Sequence, residues 1–330
     1  MRQFIIGDIH GCFAELQELL DKAGLAEDDE IIALGDIVDR GPDSPRVLQF
    51  FQSHPQARSL VGNHERKHIR SFHREIAPAL SQVISRQQFG AEYPQAIEFM
   101  QTFPRAIELS DALLVHGFFE PDVPLEQQRD TVLIGTLSGE KYLSETYARP
   151  WYELYRSDKP LVVGHRDFLG TGEPFIYQDR VFGLDTGSYH GGTLTGMLLP
   201  NFKIVSVQSR KDYWSEVKRE YQANLQHTKS AKQVTISQAD FGEFKELANA
   251  VQQLHERIWT QLNAEPSFHA LPPRAQRKMY ATEILHLPLQ VQHWLHLARQ
   301  CKLTTDSFQR SHLESRAVHD WLALLDEFAH

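Results

Sequence analysis

Short apolar runs alternate with amphipathic stretches along the first part of the chain. QFIIGD (3–8) reads as a buried strand, and CFAELQELLDKAG (12–24) as a helix ended by Gly24. EIIALGD (30–36) is a second apolar run. SPRVLQFFQSH (44–54) follows with helical spacing, Ser44 placed to cap it and Pro45 in its first turn. ARSLVGN (57–63) is the third run. Strands alternating with helices predict βαβ units and a mainly parallel sheet. Residues 66–102 are polar and helical in character. From residue 105 the texture changes: AIELSDALLVHG, PLVVGH, RVFGLDTG, GTLTGMLLP and FKIVSVQS are apolar, β-branched and glycine-punctuated, and predict a second sheet. Residues 226–238 lack periodicity and read as a linker; 239–330 read as helices. The apolar tail positions Trp259, Leu262, Trp294, Leu297, Trp321 and Leu325 must be buried, against the sheets, a partner or a second copy of the chain.

Composition narrows the setting. The 330 residues are 41 % hydrophobic and 23 % charged, as in soluble globular proteins. The net charge of −9 carries no basic footprint, which sets nucleic acid aside as a partner. Cys12 and Cys301 are the only cysteines, too few for a disulfide framework. There is no signal-peptide pattern and no apolar run of the roughly 18 residues that cross a bilayer, so a cytoplasmic protein without membrane contact is expected.

Chemistry collects where the apolar runs stop. The first three ends read Gly7-Asp8-Ile9-His10-Gly11, Gly35-Asp36-Ile37-Val38-Asp39-Arg40-Gly41 and Gly62-Asn63-His64-Glu65. ALLVHG ends at His116 and LVVGH at His165. A parallel sheet delivers such residues to one edge, beyond the carboxyl ends of its strands. Asp8, His10, Asp36, Asn63, His116 and His165 form a mixed oxygen and nitrogen set without thiolate. That set suits Mn²⁺, with Fe²⁺ or Zn²⁺ as alternatives. It is too large for one zinc and suits two ions about 3.5–4 Å apart with a bridging carboxylate. Asp36, on the middle run, is the natural bridge. Glu65 reads as a supporting or helix-start residue and Asp185 as part of a strand-end turn.

The blocks G-D-x-H-G, G-D-x-V-D-R-G and G-N-H-E, in this order, resemble those of the calcineurin-like metallophosphoesterases, most of all the bacterial phosphoprotein-phosphatase branch. The resemblance covers roughly residues 1–210. GLDTGSYHGGTLTGMLLP and VSVQSRKDY look like the closing strands of bacterial protein phosphatases, diadenosine tetraphosphatases and polynucleotide kinase-phosphatases. The resemblance implies a four-layer α/β/β/α sandwich as catalytic domain (1–225) with a C-terminal helical appendage. It implies Asp8, His10 and Asp36 as ligands of one metal and Asp36, Asn63, His116 and His165 as ligands of the other. It further implies His64 as proton donor, Asp39 as the carboxylate orienting it, and Arg40 as a phosphate-binding guanidinium. The chain departs from the family at His116-Gly117-Phe118-Phe119, where Phe118 adds an apolar wall, and at Gly164-His165-Arg166, where Arg166 offers a second phosphate contact. Arg149 or Arg156 would be the second clamping arginine, and Arg156 in ELYR fits better. The implied activity is phosphomonoester hydrolysis, first on phosphoprotein Ser/Thr. The alternatives are a diadenosine polyphosphate, or phosphate at RNA ends. A partner-binding module with a dead site would require missing ligands, and none is missing.

Overall fold

The computed structural model describes residues 1–231, 238–284, 287, 289–300, 303, 322 and 325. It divides into compact units of residues 1–223 and 224–330.

The first unit begins β1 (Gln3–Ile6), α1 (Phe13–Ala23), β2 (Glu30–Ala33), α2 (Ser44–Ser53) and β3 (Ala57–Ser59). Helices α3 (Asn63–Phe72), α4 (Leu80–Phe89) and α5 (Tyr93–Met100) follow. Next come β4 (Ala106–Glu108), β5 (Leu113–Val115), the short helices α6 (Asp130–Leu133), α7 (Leu137–Thr146) and α8 (Trp151–Leu154), then β6 (Leu161–Val163), β7 (Phe175–Tyr177) and β8 (Val181–Gly183). β9 (Thr193–Leu199) and β10 (Lys203–Gln208) complete the unit's strands, and α9 (Tyr213–Ala231) begins in this unit and continues past residue 223.

Two mixed sheets result, ordered β10-β9-β1-β2-β3 and β4-β5-β6-β8-β7. β1, β2 and β3 run parallel, as do β5, β6 and β8, while β9 joins β1 antiparallel. Side-chain alternation builds the layers. Ile5, Ile32, Leu34, Met197 and Leu199 of one sheet meet Leu114, Val162, Phe182 and Leu184 of the other in a shared core. Their sequence neighbours point outward: Phe4, Ile6, Ile31 and Ala33 pack under α1, α2 and α5. Leu113, Val115, Leu161 and Val163 pack under α6 to α8. This is the α/β sandwich expected.

Three readings of the sequence are corrected. GTLTGMLLP and FKIVSVQS do not extend the second sheet; as β9 and β10 they complete the first. Asp43, not Ser44, caps α2, its carboxylate accepting from Arg46 N–H at 3.3 Å. The Ser44 hydroxyl instead accepts from Asp39 N–H at 3.0 Å. Residues 226–231 of the expected linker continue α9, because Gln, Lys and Ala favour helix without an apolar stripe. Residue 238 already opens α10 (Gln238–Ala264), and 232–237 lie outside the described residues.

The second unit contains α10, α11 (Pro266–His269), α12 (Pro273–Glu283) and α13 (Leu289–Arg299). Leu262, Phe268, Tyr280, Trp294 and Leu325 are buried in its own core, with Trp259 packed against it. These described apolar positions of the tail cover one another, while Leu297 is half-buried and lies outside this core. Trp321 lies outside the described residues. Among the described residues no helix is long and apolar enough to cross a membrane.

Candidate metal centre

The loops after β1, β2, β3, β5 and β6 bring Asp8, His10, Asp36, Asn63, His116 and His165 together at one sandwich edge. Two groups converge within 4.8 Å, one of His10, Asp36 and His64, the other of Asp36, His116 and His165. Asp36 belongs to both. Its Oδ2 lies 3.7 Å from His10 Nε2 and 3.5 Å from His116 Nε2, and its Oδ1 accepts from His64 N–H at 2.8 Å. Asp8 Oδ2 lies 3.9 Å from His10 Nε2, while Asp8 Oδ1 accepts from His165 N–H at 2.8 Å.

Backbone packs tightly here. A Cβ on Gly62 would stand 2.1 Å from Asp36 Oδ1, and one on Gly164 would stand 2.3 Å from Asp8 Oδ1. His10, Asp36, Asp39, Arg40 and His165 all have positive φ, a strained state that collects at functional sites. Glu65 holds the loops: its carboxylate accepts from the N–H of Asp36 and Ile37, each at 2.9 Å, and of Gly62 at 2.8 Å.

Neighbours also set which histidine nitrogens face inward. His10 Nδ1 donates to Val38 O at 2.9 Å and His116 Nδ1 to Leu34 O at 3.0 Å. Both therefore turn Nε2 inward, as ligating histidines do. His165 turns Nδ1 inward, and the Phe118 ring packs edge-on to it, centroids 5.1 Å apart.

The donor set fits cations. Asp8 Oδ2 and His64 Nε2 are buried with no hydrogen-bond partner. One terminal atom of the Asn63 amide lies 2.9 Å from His165 Nδ1, 3.2 Å from His116 Nε2 and 3.1 Å from Asp36 Oδ2. Once His116 Nε2 gives up the proton that Asp36 holds on it, that atom as nitrogen has two hydrogens for three acceptors, and as oxygen it faces lone pairs. A divalent cation shared by an amide oxygen, imidazoles and a carboxylate resolves both conflicts.

The charges respond accordingly. Burial and Asp185 push the Asp8 carboxyl well up. Burial also acts upward on Asp36, but His116, His64 and His10 hold it well below the carboxylate range. Burial opposes the proton on His116, yet Asp36 raises it to about 10. Burial and His116 lower His165 to about 3. Burial, with Arg40 and His64 adding to it, pushes His10 well down. Burial and Asp36 raise Glu65 to about 7. Asp185 rises to about 6 through burial and keeps a turn bond, accepting from Gly187 N–H at 3.1 Å.

His64 Nδ1 donates to Asp39 Oδ2 at 2.6 Å, which leaves His64 Nε2 facing the cluster, 4.0 Å from Asp36 Oδ2. Burial lowers His64 against the pull of Asp36 and Asp39. The Arg40 guanidinium stands 3.3 Å from His10 Nε2 and lies over the Tyr189 ring at 4.3 Å.

Two arginines expected to meet phosphate have other partners in this structure. Arg156 donates to the carbonyls of Glu153 and Tyr155, and lines a cavity with Leu113 and Lys159. Leu113 opens β5 and Lys159 precedes β6, so this is the sheet edge opposite His116 and His165. Arg166 is exposed and pairs with Glu140 of α7, a carboxylate within its reach. Arg149 pairs with Glu153 at 2.9 Å. The sequence reading also overlooked Tyr189, His68 and Gln82. His68 donates from Nε2 to Asp39 Oδ1 at 2.7 Å, and Gln82 Nε2 donates to Asp39 Oδ2. One signal was available for His68: it follows His64 by one helical turn and shares its face of α3.

A calcineurin-like phosphoesterase family profile matches residues 1–231. The asymmetrical bis(5′-nucleosyl)-tetraphosphatase PrpE of Oceanobacillus iheyensis is 28 % identical over 254 residues, covering 69 % of this chain and all (100 %) of that protein. PrpE of Anoxybacillus flavithermus is 30 % identical over 239 residues, covering 64 % of this chain and 96 % of that protein. A crystal structure described as a candidate diadenosine tetraphosphatase superposes with a TM-score of 0.53 at 26 % identity, over 63 % of this chain and 93 % of the other.

Proposed function

The chain belongs to the calcineurin-like phosphoesterases, and on that premise we propose that it hydrolyses dinucleoside polyphosphates asymmetrically at a phosphoanhydride bond. The supporting observation is that relatives matched over 96–100 % of their own length carry this activity in their names, while the family profile spans residues 1–231, which hold the entire ligand cluster. The sequence alone had put phosphoprotein Ser/Thr first; these relatives reverse that order.

Asp8, His10 and Asp36 would hold one divalent ion, and Asp36, Asn63, His116 and His165 the other. Mn²⁺ is the first candidate for this thiolate-free set. When bound, such ions neutralise phosphoryl oxygens and acidify a water toward neutral pH. The protein's own groups then divide the work. Arg40, aligned by Tyr189, presents a planar fork to phosphate oxygens. Water adds to an outermost phosphorus, the bond to the neighbouring bridging oxygen breaks, and a nucleoside triphosphate departs. His64 Nε2, buried and unpartnered, gives its proton to that oxygen. Asp39 on Nδ1 holds the ring for this transfer and stabilises its charge. The setting we propose is cytoplasmic.

The test is a panel with metal-loaded protein: diadenosine tetraphosphate, a phosphoserine peptide and a 5′-phosphorylated RNA. Turnover fastest on the first, yielding triphosphate and monophosphate in equal amounts, is the expected result. Faster turnover of the phosphopeptide or RNA, or two diphosphates as products, refutes the assignment. Inactivity on all three with both metals bound would favour a binding module.

A further inference from the structure

Asp39 carries more donors than one oriented histidine requires. Beyond His64, its Oδ1 accepts from His68 Nε2 at 2.7 Å, its Oδ2 also accepts from Gln82, and its N–H donates to Ser44 Oγ at 3.0 Å. Asp39 and His68 are 0 % exposed and Gln82 is 1 % exposed. His68 Nδ1 lies 2.9 Å from the Tyr93 hydroxyl. With the His68 proton on Nε2, its Nδ1 must accept from Tyr93. The chain therefore has one polarity: Tyr93 donates to His68, His68 to Asp39, and His64 donates to Asp39 from the other side. Gln82 is fixed in turn, its Oε1 accepting from Ala79 N–H at 3.0 Å.

We propose that His68, Gln82 and Tyr93 are positioning residues that clamp both oxygens of Asp39, and through Asp39 hold the His64 ring with Nδ1–H on Asp39 and Nε2–H toward the departing bridging oxygen. The inference rests on His64 as proton donor in the proposed reaction. A carboxylate turns readily about its terminal torsion. Bonded to His64 alone, Asp39 could swing and let the imidazole swing with it. Donors from two helices, α3 and α4, pin the two oxygens separately, as a supporting shell around a reacting group must. Asp39, an acceptor only, keeps the His68 proton on Nε2, and the bond between Nδ1 and the Tyr93 hydroxyl on α5 fixes the ring's orientation, so its donor stays on Asp39.

The test separates orientation from folding. His68→Leu removes the donor to Oδ1 and His68→Gln restores one. A misplacement near 1 Å costs up to about 10²-fold in rate. His68→Leu should therefore lower kcat by roughly 10–10²-fold on phenyl phosphate, whose leaving group needs a proton. On p-nitrophenyl phosphate the loss should be only a few-fold, with KM and metal content unchanged. His68→Gln should recover most of the rate. Tyr93→Phe, which removes the bond tethering His68 Nδ1 while keeping the aromatic ring, should show the same pattern more weakly. Independently of turnover, the His64 Nδ1–H resonance in ¹⁵N-histidine-labelled, zinc-loaded protein is identified by its loss in His64→Asn. It should be sharp in wild type and His68→Gln and broadened in His68→Leu. Equal losses on both substrates, a change in KM alone, or a sharp resonance in His68→Leu overturns the proposal. If His68→Leu does not fold, Tyr93→Phe decides by the same criteria. Failure on diadenosine tetraphosphate with this pattern intact would refute the substrate assignment only.

Discussion

Gly62→Ala tests the geometry of the centre with a single methyl group. Gly62 has φ −94° and ψ 177°, a backbone open to any residue, so the substitution adds no torsional strain. The cost is contact: the new Cβ would stand 2.1 Å from Asp36 Oδ1, 2.5 Å from Asp36 N and 2.8 Å from Glu65 Oε2. Cβ contacts below 3.0 Å essentially do not occur, so the Asp36 carboxylate must retreat by about 1 Å. Asp36 is the residue common to both convergent groups, and the same retreat strains the Glu65 bonds that hold its loop. Overpacking of this kind costs about 1–3 kcal/mol of stability. A 1 Å shift at a reacting centre costs on the order of 10²-fold in kcat. Gly24→Ala is the control. At φ +61° with nothing within 4 Å of its Cβ, it should lose about 1 kcal/mol and no activity. The assay is kcat on diadenosine tetraphosphate, metal stoichiometry and thermal unfolding for both variants. Wild-type kcat and two tightly bound metals in Gly62→Ala would refute Asp36 as the bridge.

Other expectations follow from the same contacts. His64→Asn should keep its metals but slow phenyl phosphate by roughly 10²–10⁴-fold, sparing p-nitrophenyl phosphate; equal losses would remove His64 as proton donor. Asp36 raises His116 from 6.5 to about 10 in the metal-free protein, and the proton must leave before Nε2 can ligate. Metal uptake should therefore release a proton and tighten as pH rises toward 10, which calorimetry in buffers of differing ionisation enthalpy checks; pH-independent uptake contradicts it. Because the folded value is the higher one, this pair stabilises the metal-free protein fully below pH 6.5 and loses that contribution as pH rises through about 10. Added metal should accordingly raise Tm more in mildly alkaline than in neutral buffer. Arg156→Ala should leave kcat within about two-fold, since its bonds go to Glu153 and Tyr155 at the opposite sheet edge; a larger loss would restore it as a phosphate clamp.

The sequence alone determined what local pattern can carry. Alternating apolar runs and helical stripes specify β1 to β3 with α1 and α2 between them, since burial periodicity is a property of neighbouring residues. The glycine-bounded ends of those three runs named Asp8, His10, Asp36 and Asn63, and the ends of two later runs named His116 and His165, because a strand end fixes both the place and the direction of its side chains. Tertiary structure decided whatever depends on partners distant in sequence. Nothing in the alternation of GTLTGMLLP says that β9 pairs with β1, because pairing depends on which sheet has an open edge. Arg156 and Arg166 read as phosphate ligands from the family resemblance, but long cations settle on the nearest acceptors, here two carbonyls and Glu140. The tail's apolar faces announced burial without naming what covers them, and the helices cover one another. His68 and Gln82 look like ordinary polar residues of two helices, and only the packing of α3 and α4 around the β2 loop turns both onto Asp39.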